Sequence, residues 1–297
     1  MDVKSLNEKF GISGRISIEE GQGGLPVVCL KGTYSTAKVC LLGAHVMSWC
    51  PAGGQDALWM SDKSLFTVGK AIRGGIPVCW PWFSKHPTNE SFPMHGFARI
   101  MMWELANVSA EAEDTVAVFE LETSEESLKM FPGKFRLRLT VRAGKELTLQ
   151  LKTINVGEEA FTITQALHTY YNVGDITKVT IEGFDGLTCL DKVNNGVFKV
   201  RHDPFVIDCN VDEVYGDAPG AAVIHDAALD RDINISKEGS GSAVVWNPWI
   251  EKSISMADFP DDGYKTMLCV ETANVADDKR TIQPGMEHSL TMKVRVR

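Results

Sequence analysis

Apolar and polar residues alternate with a period of two over much of this chain, most plainly between residues 135 and 152. Phe135, Leu137, Leu139 and Val141 alternate with Arg136, Arg138, Thr140 and Arg142; after Ala143-Gly144-Lys145, Leu147, Leu149 and Leu151 alternate with Thr148, Gln150 and Lys152. That spacing predicts an antiparallel hairpin with one buried and one wet face, since successive side chains of a strand point to opposite sides. The three arginines then lie on a solvated outer face. Further strands are predicted at LPVVCLKG, AKVCLLGAHVMSWC, ALWM, VAVFEL, FTITQALHTYYNV, KVTIEGF, GLTCLDKV, GVFKVR, AAVIHD, DINISK, SAVVWN, TMLCVET and HSLTMKVRV. Turn residues separate them. Helix is predicted only for one turn within residues 4–10 and for SEESLKMF, capped by Ser124 and stopped before Pro132. The pattern implies an all-β fold, a large antiparallel β-sandwich with a few short helices, in one domain spanning 1–297. No βαβ spacing or phosphate-cradling glycine loop is present.

One stretch has no period at all. Residues 71–103, AIRGGIPVCWPWFSKHPTNESFPMHGFARIMMW, set Trp80, Trp82, Trp103, Phe83, Phe92 and Phe97 among Gly74-Gly75, Pro77, Pro81, Pro87 and Pro93. The prolines forbid a long helix. Flat aromatic faces with Arg73, Arg99, His86 and His95 suit a concave site for a polar, ringed and anionic ligand. Gly74-Gly75 is expected to let the backbone approach that ligand. The competing reading is a buried loop whose Arg and His satisfy backbone carbonyls.

Charge and composition narrow the classes. A formal charge of −9 excludes a nucleic-acid or anionic-membrane partner, and 44% hydrophobic residues supply a core. No apolar run is long enough for a membrane helix, and MDVKSLNEKFGISGRISIEE has no signal-peptide core. Seven cysteines without a CxxC pair indicate reduced thiols and a cytoplasmic protein. The histidines lack the spacing of a zinc site.

The chemistry then rests on two residues. His168 ends an apolar run beside Tyr170 and Tyr171, and Glu271 closes the apolar run MLCV. A carboxylate in such a place is desolvated, which raises its pKa and makes it a better base near neutrality. Asp212, in VDEVY, is by itself an ordinary strand-edge acid, and the WNPW at 246–249 looks like a wall element. His45 reads as a core histidine; His202, His225 and His288 read as surface residues.

These segments together resemble the hexose-6-phosphate mutarotases (glucose-6-phosphate 1-epimerases), a branch of the aldose 1-epimerase, or galactose-mutarotase-like, superfamily. The markers are IRGGIPVCWPWF at 72–83, HGFAR at 95–99, LHTYY at 167–171, VDEVY at 211–215, VWNPW at 245–249 and CVETANV at 269–275. The first two are specific for the phosphosugar branch. The resemblance implies a galactose-mutarotase-like supersandwich with its sugar groove on a concave sheet. It implies no metal or cofactor, and a monomer acting on a hexose 6-phosphate. By the same resemblance His168 is the general acid, Glu271 the general base, His95 a ring contact, Asp212 the acid holding sugar hydroxyls, and Arg73 and Arg99 the phosphate anchors. The expected pH profile falls on the acid side as Glu271 gains a proton and on the alkaline side as His168 loses one. A non-catalytic sugar-phosphate binder, or a glycosidase using Asp212 with Glu271, remains the alternative.

Overall fold

The computed structural model describes residues 2–218 and 220–297. The hairpin forms as its periodicity demands: Phe135–Ala143 pairs with Leu147–Asn155, with Leu139 opposite Leu151 and Ala143 opposite Leu147. Its apolar residues are buried. Arg136, Arg138 and Arg142 face outward and pair with Glu122, Glu120 and Glu111/Asp114 on or beside the next strand. This hairpin lies within a nine-stranded sheet that runs from Phe205–Val206 at one edge to Glu104–Ala110 at the other.

A second sheet of eight strands carries the chemistry. Its order is Val197–Val200, Thr188–Asp191, Val211–Tyr215, Ser242–Asn247, Met267–Asn274, Gln165–Leu167 and Val78–Cys79, with Tyr170–Asn172 also pairing Met267–Asn274. All of these ladders are antiparallel. Every residue of Met267–Asn274 is buried, as a central strand covered on both faces requires. A four-stranded sheet, Ile16–Glu20 to His45–Pro51, completes the N-terminal part. One continuous apolar core runs from Leu6 to Val294 between these layers. The fold is therefore the all-β sandwich that the alternation implies.

The helices are few. Val3–Phe10 is capped by the Asp2 side chain, and Glu125–Met130 by a reciprocal Ser124–Ser127 capping box. A third, Trp249–Ser255, departs from expectation. It follows Pro248 directly, and Trp249 enters it with φ at 55°, its backbone N–H donating to Asn247 Oδ1. No helix is long and apolar enough to cross a membrane among the described residues.

His45 is a core histidine, as its neighbours indicate. It is fully buried, and its Nε2 lies 2.9 Å from the Gly74 carbonyl, to which it donates. Burial lowers its pKa from 6.5 to about 3. The unfolded chain thus takes up a proton near pH 6.5 that the folded chain refuses. Stability from this group is complete above that pH and is lost as pH falls from 6.5 towards 3. Each pH unit in that window costs about 1 kcal/mol. Denaturant melts between pH 6.5 and 4.5 should show His45→Gln losing stability less steeply than the parent; parallel slopes would show that His45 does not titrate in this way.

Candidate active site

Glu271 and His168 meet because one strand pairs with two. Met267–Asn274 pairs through Thr272, Ala273 and Asn274 with Gln165–Leu167, and through Met267, Leu268 and Cys269 with Tyr170–Asn172. Val270 and Glu271 therefore face the break at His168-Thr169. The stretch 161–173, which reads as a single strand in the sequence, is divided here, where the Thr169 N–H turns back to the Leu167 carbonyl at 2.9 Å. Thr164, His168 and Tyr170 donate to the carbonyls of Pro81, Pro77 and Gly75 in the aromatic segment. The register runs unshifted across the gap, so His168 stands opposite Glu271, with Nε2 3.3 Å from Glu271 Oε1. Glu271 stands mid-strand and not at a strand end as its sequence context implies.

Aromatic rings hold this pair. The His168 ring stacks on Tyr170, with centroids 4.9 Å apart and planes 10° from parallel, and Trp59 stacks on the other side of Tyr170. Trp246 meets both His168 and Tyr170 edge-on. His95 approaches edge-on at 5.6 Å. The Ser84 N–H donates to His95 Nδ1 at 3.2 Å, while the His95 N–H donates to the Ser84 carbonyl at 2.7 Å. With Nδ1 accepting, a neutral His95 carries its proton on Nε2. It is a donor and not a base.

His95, His168, Glu271, Asp212 and Arg73 line one cavity of about 330 Å³, with Phe83, Trp246, Met94 and Met256 among its walls. The structure thus brings together five of the six residues singled out in the sequence. Arg73 binds Asp258 through Nε and Nη2, at 3.2 Å each, and the Tyr170 hydroxyl through Nη1 at 3.0 Å. Its guanidinium is held in place with two N–H groups to spare. Arg99 does not line the cavity: its Nη2 donates to the Met94 carbonyl at 2.7 Å, next to His95. The expectation for Gly74-Gly75 is also corrected. Their φ values are 104° and 57°, and an added Cβ would lie 2.5 Å from the Trp59 carbonyl or 2.2 Å from that of Val46. The close approach is to the protein's own backbone, not to a ligand.

Three lysines that sequence reading missed, Lys85, Lys192 and Lys252, also line the cavity. They come from a loop, a hairpin turn and the short helix Trp249–Ser255, where nothing local distinguishes them from solvated lysines. His288, read as a surface residue, is half-buried with Nε2 3.0 Å from Asn274 Oδ1.

The electrostatics set the proton positions. Burial pushes Glu271 well above the usual carboxylate range, and the Asp212 charge adds to this. Burial also pushes His168 well below its ordinary value, and the cations Arg99, Arg73 and Lys192 act in the same direction. Burial thus disfavours charge on both members, favouring carboxylic acid beside neutral imidazole. The imidazolium–carboxylate form is the minor tautomer of the pair. The two limbs of a pH profile then belong to the pair as a unit and not to either residue alone. Among the described residues no cluster of His, Cys, Asp and Glu has a metal-binding arrangement.

A family model described as aldose 1-epimerase matches residues 26–295. A protein of Escherichia coli K12 named "Putative glucose-6-phosphate 1-epimerase" is 42% identical over 261 residues, covering 88% of this chain and 86% of its own. One of the same name from Cenchrus ciliaris is 38% identical over 275 residues, covering 89% and 82%. The crystal structure of "a putative mutarotase" from Salmonella typhimurium superposes with a TM-score of 0.90 at 34% identity, over 97% of this chain and 95% of that one. A galactose mutarotase-like protein of Clostridium acetobutylicum shares the fold at a TM-score of 0.75 and 15% identity, over 95% and 98%.

The shared-proton state has a spectroscopic test. An infrared difference spectrum of the parent minus Glu271→Gln at neutral pH should contain the C=O band of a protonated carboxyl group. A carboxylate band in its place would show Glu271 ionised at rest.

Proposed function

We propose that this chain, which belongs to the aldose 1-epimerase family, is an isomerase that interconverts the α and β anomers of glucose 6-phosphate. The observation that carries the reading is the His168–Glu271 contact of 3.3 Å on the floor of a cavity lined by Arg73, Lys85, Lys192 and Lys252. The names of its relatives supply the substrate class.

The geometry supports a short cycle. The two reacting oxygens of a pyranose, O1 and the ring oxygen O5, sit on the same carbon. An acid and a base side by side can serve both at once. From the imidazolium–carboxylate form, Glu271 takes the O1 proton as His168 protonates O5, and the C1–O5 bond opens to the aldehyde. Rotation about C1–C2 presents the other carbonyl face. O5 then attacks C1, its proton returning to His168 while Glu271 gives its proton back to the oxygen that becomes O1. Ring opening takes the pair from one shared-proton tautomer to the other, and ring closure takes it back. Each transfer contributes about 10²–10⁴ in rate. His95 Nε2–H donates to a sugar oxygen without competing as a base.

Arg73 is the phosphate anchor in this reading: its spare N–H groups face an anion, and Asp258 with Tyr170 keeps the fork rigid. Arg99 acts from behind, fixing Met94 beside His95 and adding positive potential. The free thiols support a reducing, cytoplasmic location.

Two outcomes follow. Glu271→Gln and His168→Ala should each lower kcat at least about a hundredfold while leaving the thermal midpoint close to the parent's; a variant retaining a tenth of kcat would remove that residue from the proton transfers. Arg73→Ala should lower kcat/KM for glucose 6-phosphate about ten- to a hundredfold and that for free glucose little. Arg99→Ala should lower both alike. Equal losses on both sugars for Arg73→Ala would make it a loop support.

A further inference from the structure

The turn that carries Lys192 is fastened with unusual care. It joins Thr188–Asp191 to Val197–Val200 at the edge of the eight-stranded sheet. Asp191, buried, accepts from the backbone N–H groups of Val193 and Asn194, from the Asn194 amide at 2.8 Å and from Lys199 Nζ at 2.6 Å. Lys199 also reaches Glu213 at 2.8 Å, and Glu213, fully buried, is further held by Arg201 and the Tyr215 hydroxyl. Removing one member of such a buried set leaves a charge uncompensated, so the turn is rigid. The Lys192 backbone N–H donates to the Asp212 carbonyl at 2.9 Å, which places Lys192 beside the strand Val211–Tyr215.

The head groups of Lys192 and Asp212 behave differently from their neighbours. Lys192 Nζ lies 3.7 Å from Asp212 Oδ1, with side-chain exposures of 32% and 23%. The adjacent Lys199 pairs close to hydrogen-bonding distance; this one stays open although both groups line the same cavity. The ammonium also lies 5.5 Å from the centre of the Phe83 ring, which restricts it further. Both partners line the cavity, and at 3.7 Å neither is closed onto the other by a hydrogen bond.

Their place in the sheet says which end of a sugar they meet. Val211–Tyr215 is two strands from Met267–Asn274, with Ser242–Asn247 between them. Two steps of interstrand spacing put Asp212 about 10 Å across the sheet from the Glu271 strand. A hexopyranose with C1 at Glu271 and His168, laid over Trp246 on the middle strand, brings its far hydroxyls to Asp212 and Lys192. We propose that Lys192 and Asp212 form a donor–acceptor pair that reads two neighbouring hydroxyls of the sugar, at the end of the ring away from the bond that opens. Lys192 gives an N–H to one hydroxyl oxygen and Asp212 accepts the O–H of the next. Lys192 is then a specificity-determining residue and not a phosphate anchor. This inference rests on the anomerase reading, which supplies the reacting end.

The test compares Lys192→Met with the parent on glucose 6-phosphate, its 3-deoxy and 4-deoxy analogues, and free glucose. KM for glucose 6-phosphate should rise about tenfold or more, as expected for loss of a charged hydrogen bond. The deoxy analogue lacking the contacted hydroxyl should show no difference between variant and parent, and free glucose should lose the same factor as the phosphate. Lys192→Gln, which keeps an N–H donor, should recover part of the loss and guards against a folding defect in Lys192→Met. A penalty equal on every analogue would overturn the proposal. So would one that disappears on free glucose, since Lys192 would then be binding the phosphate. Calorimetric affinities for 1,5-anhydroglucitol 6-phosphate, which cannot anomerise, should follow the same pattern. They separate failure of this inference from failure of the anomerase reading, because binding is read without turnover.

Discussion

The contact between His168 and Glu271 rests on one β register: Gln165–Leu167 and Tyr170–Asn172 pair with Met267–Asn274 in the same frame, which sets His168 directly opposite Glu271. Directly opposite residues of an antiparallel pair project to the same face, so this frame brings the imidazole and the carboxyl group together. In the two-residue gap facing Val270 and Glu271 the Thr169 N–H turns back to the Leu167 carbonyl, while on the other edge the aromatic segment accepts from Thr164, His168 and Tyr170. The prolines, glycines and tryptophans of residues 71–103 thus have a structural purpose before any binding one. They supply the carbonyls of Gly75, Pro77 and Pro81 that accept these N–H groups. Trp59, Tyr170 and Trp246 then fix the imidazole by stacking and edge contact.

Burial around that contact makes the two groups an acid–base pair. Desolvation disfavours charge on both, raising the pKa of Glu271 and lowering that of His168. In the proposed cycle, one proton shared between these neighbours 3.3 Å apart is the state from which ring opening starts. The cations lining the cavity sharpen this. They disfavour an imidazolium while attracting an anionic ligand, in a chain whose net charge of −9 offers no general attraction to anions. Arg73 and Lys192 are both tied to acids, Asp258 and Asp212, but in different ways. Arg73 is closed onto its partner by hydrogen bonds, whereas Lys192 stands off from its own.

Much of this was legible in the sequence where the determinants are local. The hairpin at 135–152, the Ser124 cap and the burial of His45 follow from periodicity or from immediate neighbours. His168, Glu271, His95, Asp212 and Arg73 were legible through motifs in which an ionisable group is set among apolar or aromatic residues, and all five line the cavity. What was not legible depends on distant partners. The break at His168-Thr169 is invisible because β-forming residues flank it on both sides, and the segment that accepts the His168 and Tyr170 N–H groups lies some ninety residues earlier. Gly74 and Gly75 read as ligand-facing, yet the atoms they approach belong to Trp59 and Val46. Arg99 shares a motif with His95 but points back to the Met94 carbonyl. Lys192 reached the cavity only because a hairpin turn, pinned by Asp191, lies beside the strand of Asp212.

Exchange between anomers at equilibrium is the most direct measure of the central reading. Two-dimensional NMR exchange spectroscopy on equilibrated glucose 6-phosphate, with and without the protein, reports C1–O5 opening while no net reaction occurs. The parent protein should produce strong α–β cross-peaks that scale with its concentration, weak ones with free glucose, and none above background with Glu271→Gln. Cross-peaks no stronger than in buffer, in a protein that still binds the sugar phosphate, would contradict the reading and leave a binding protein in its place.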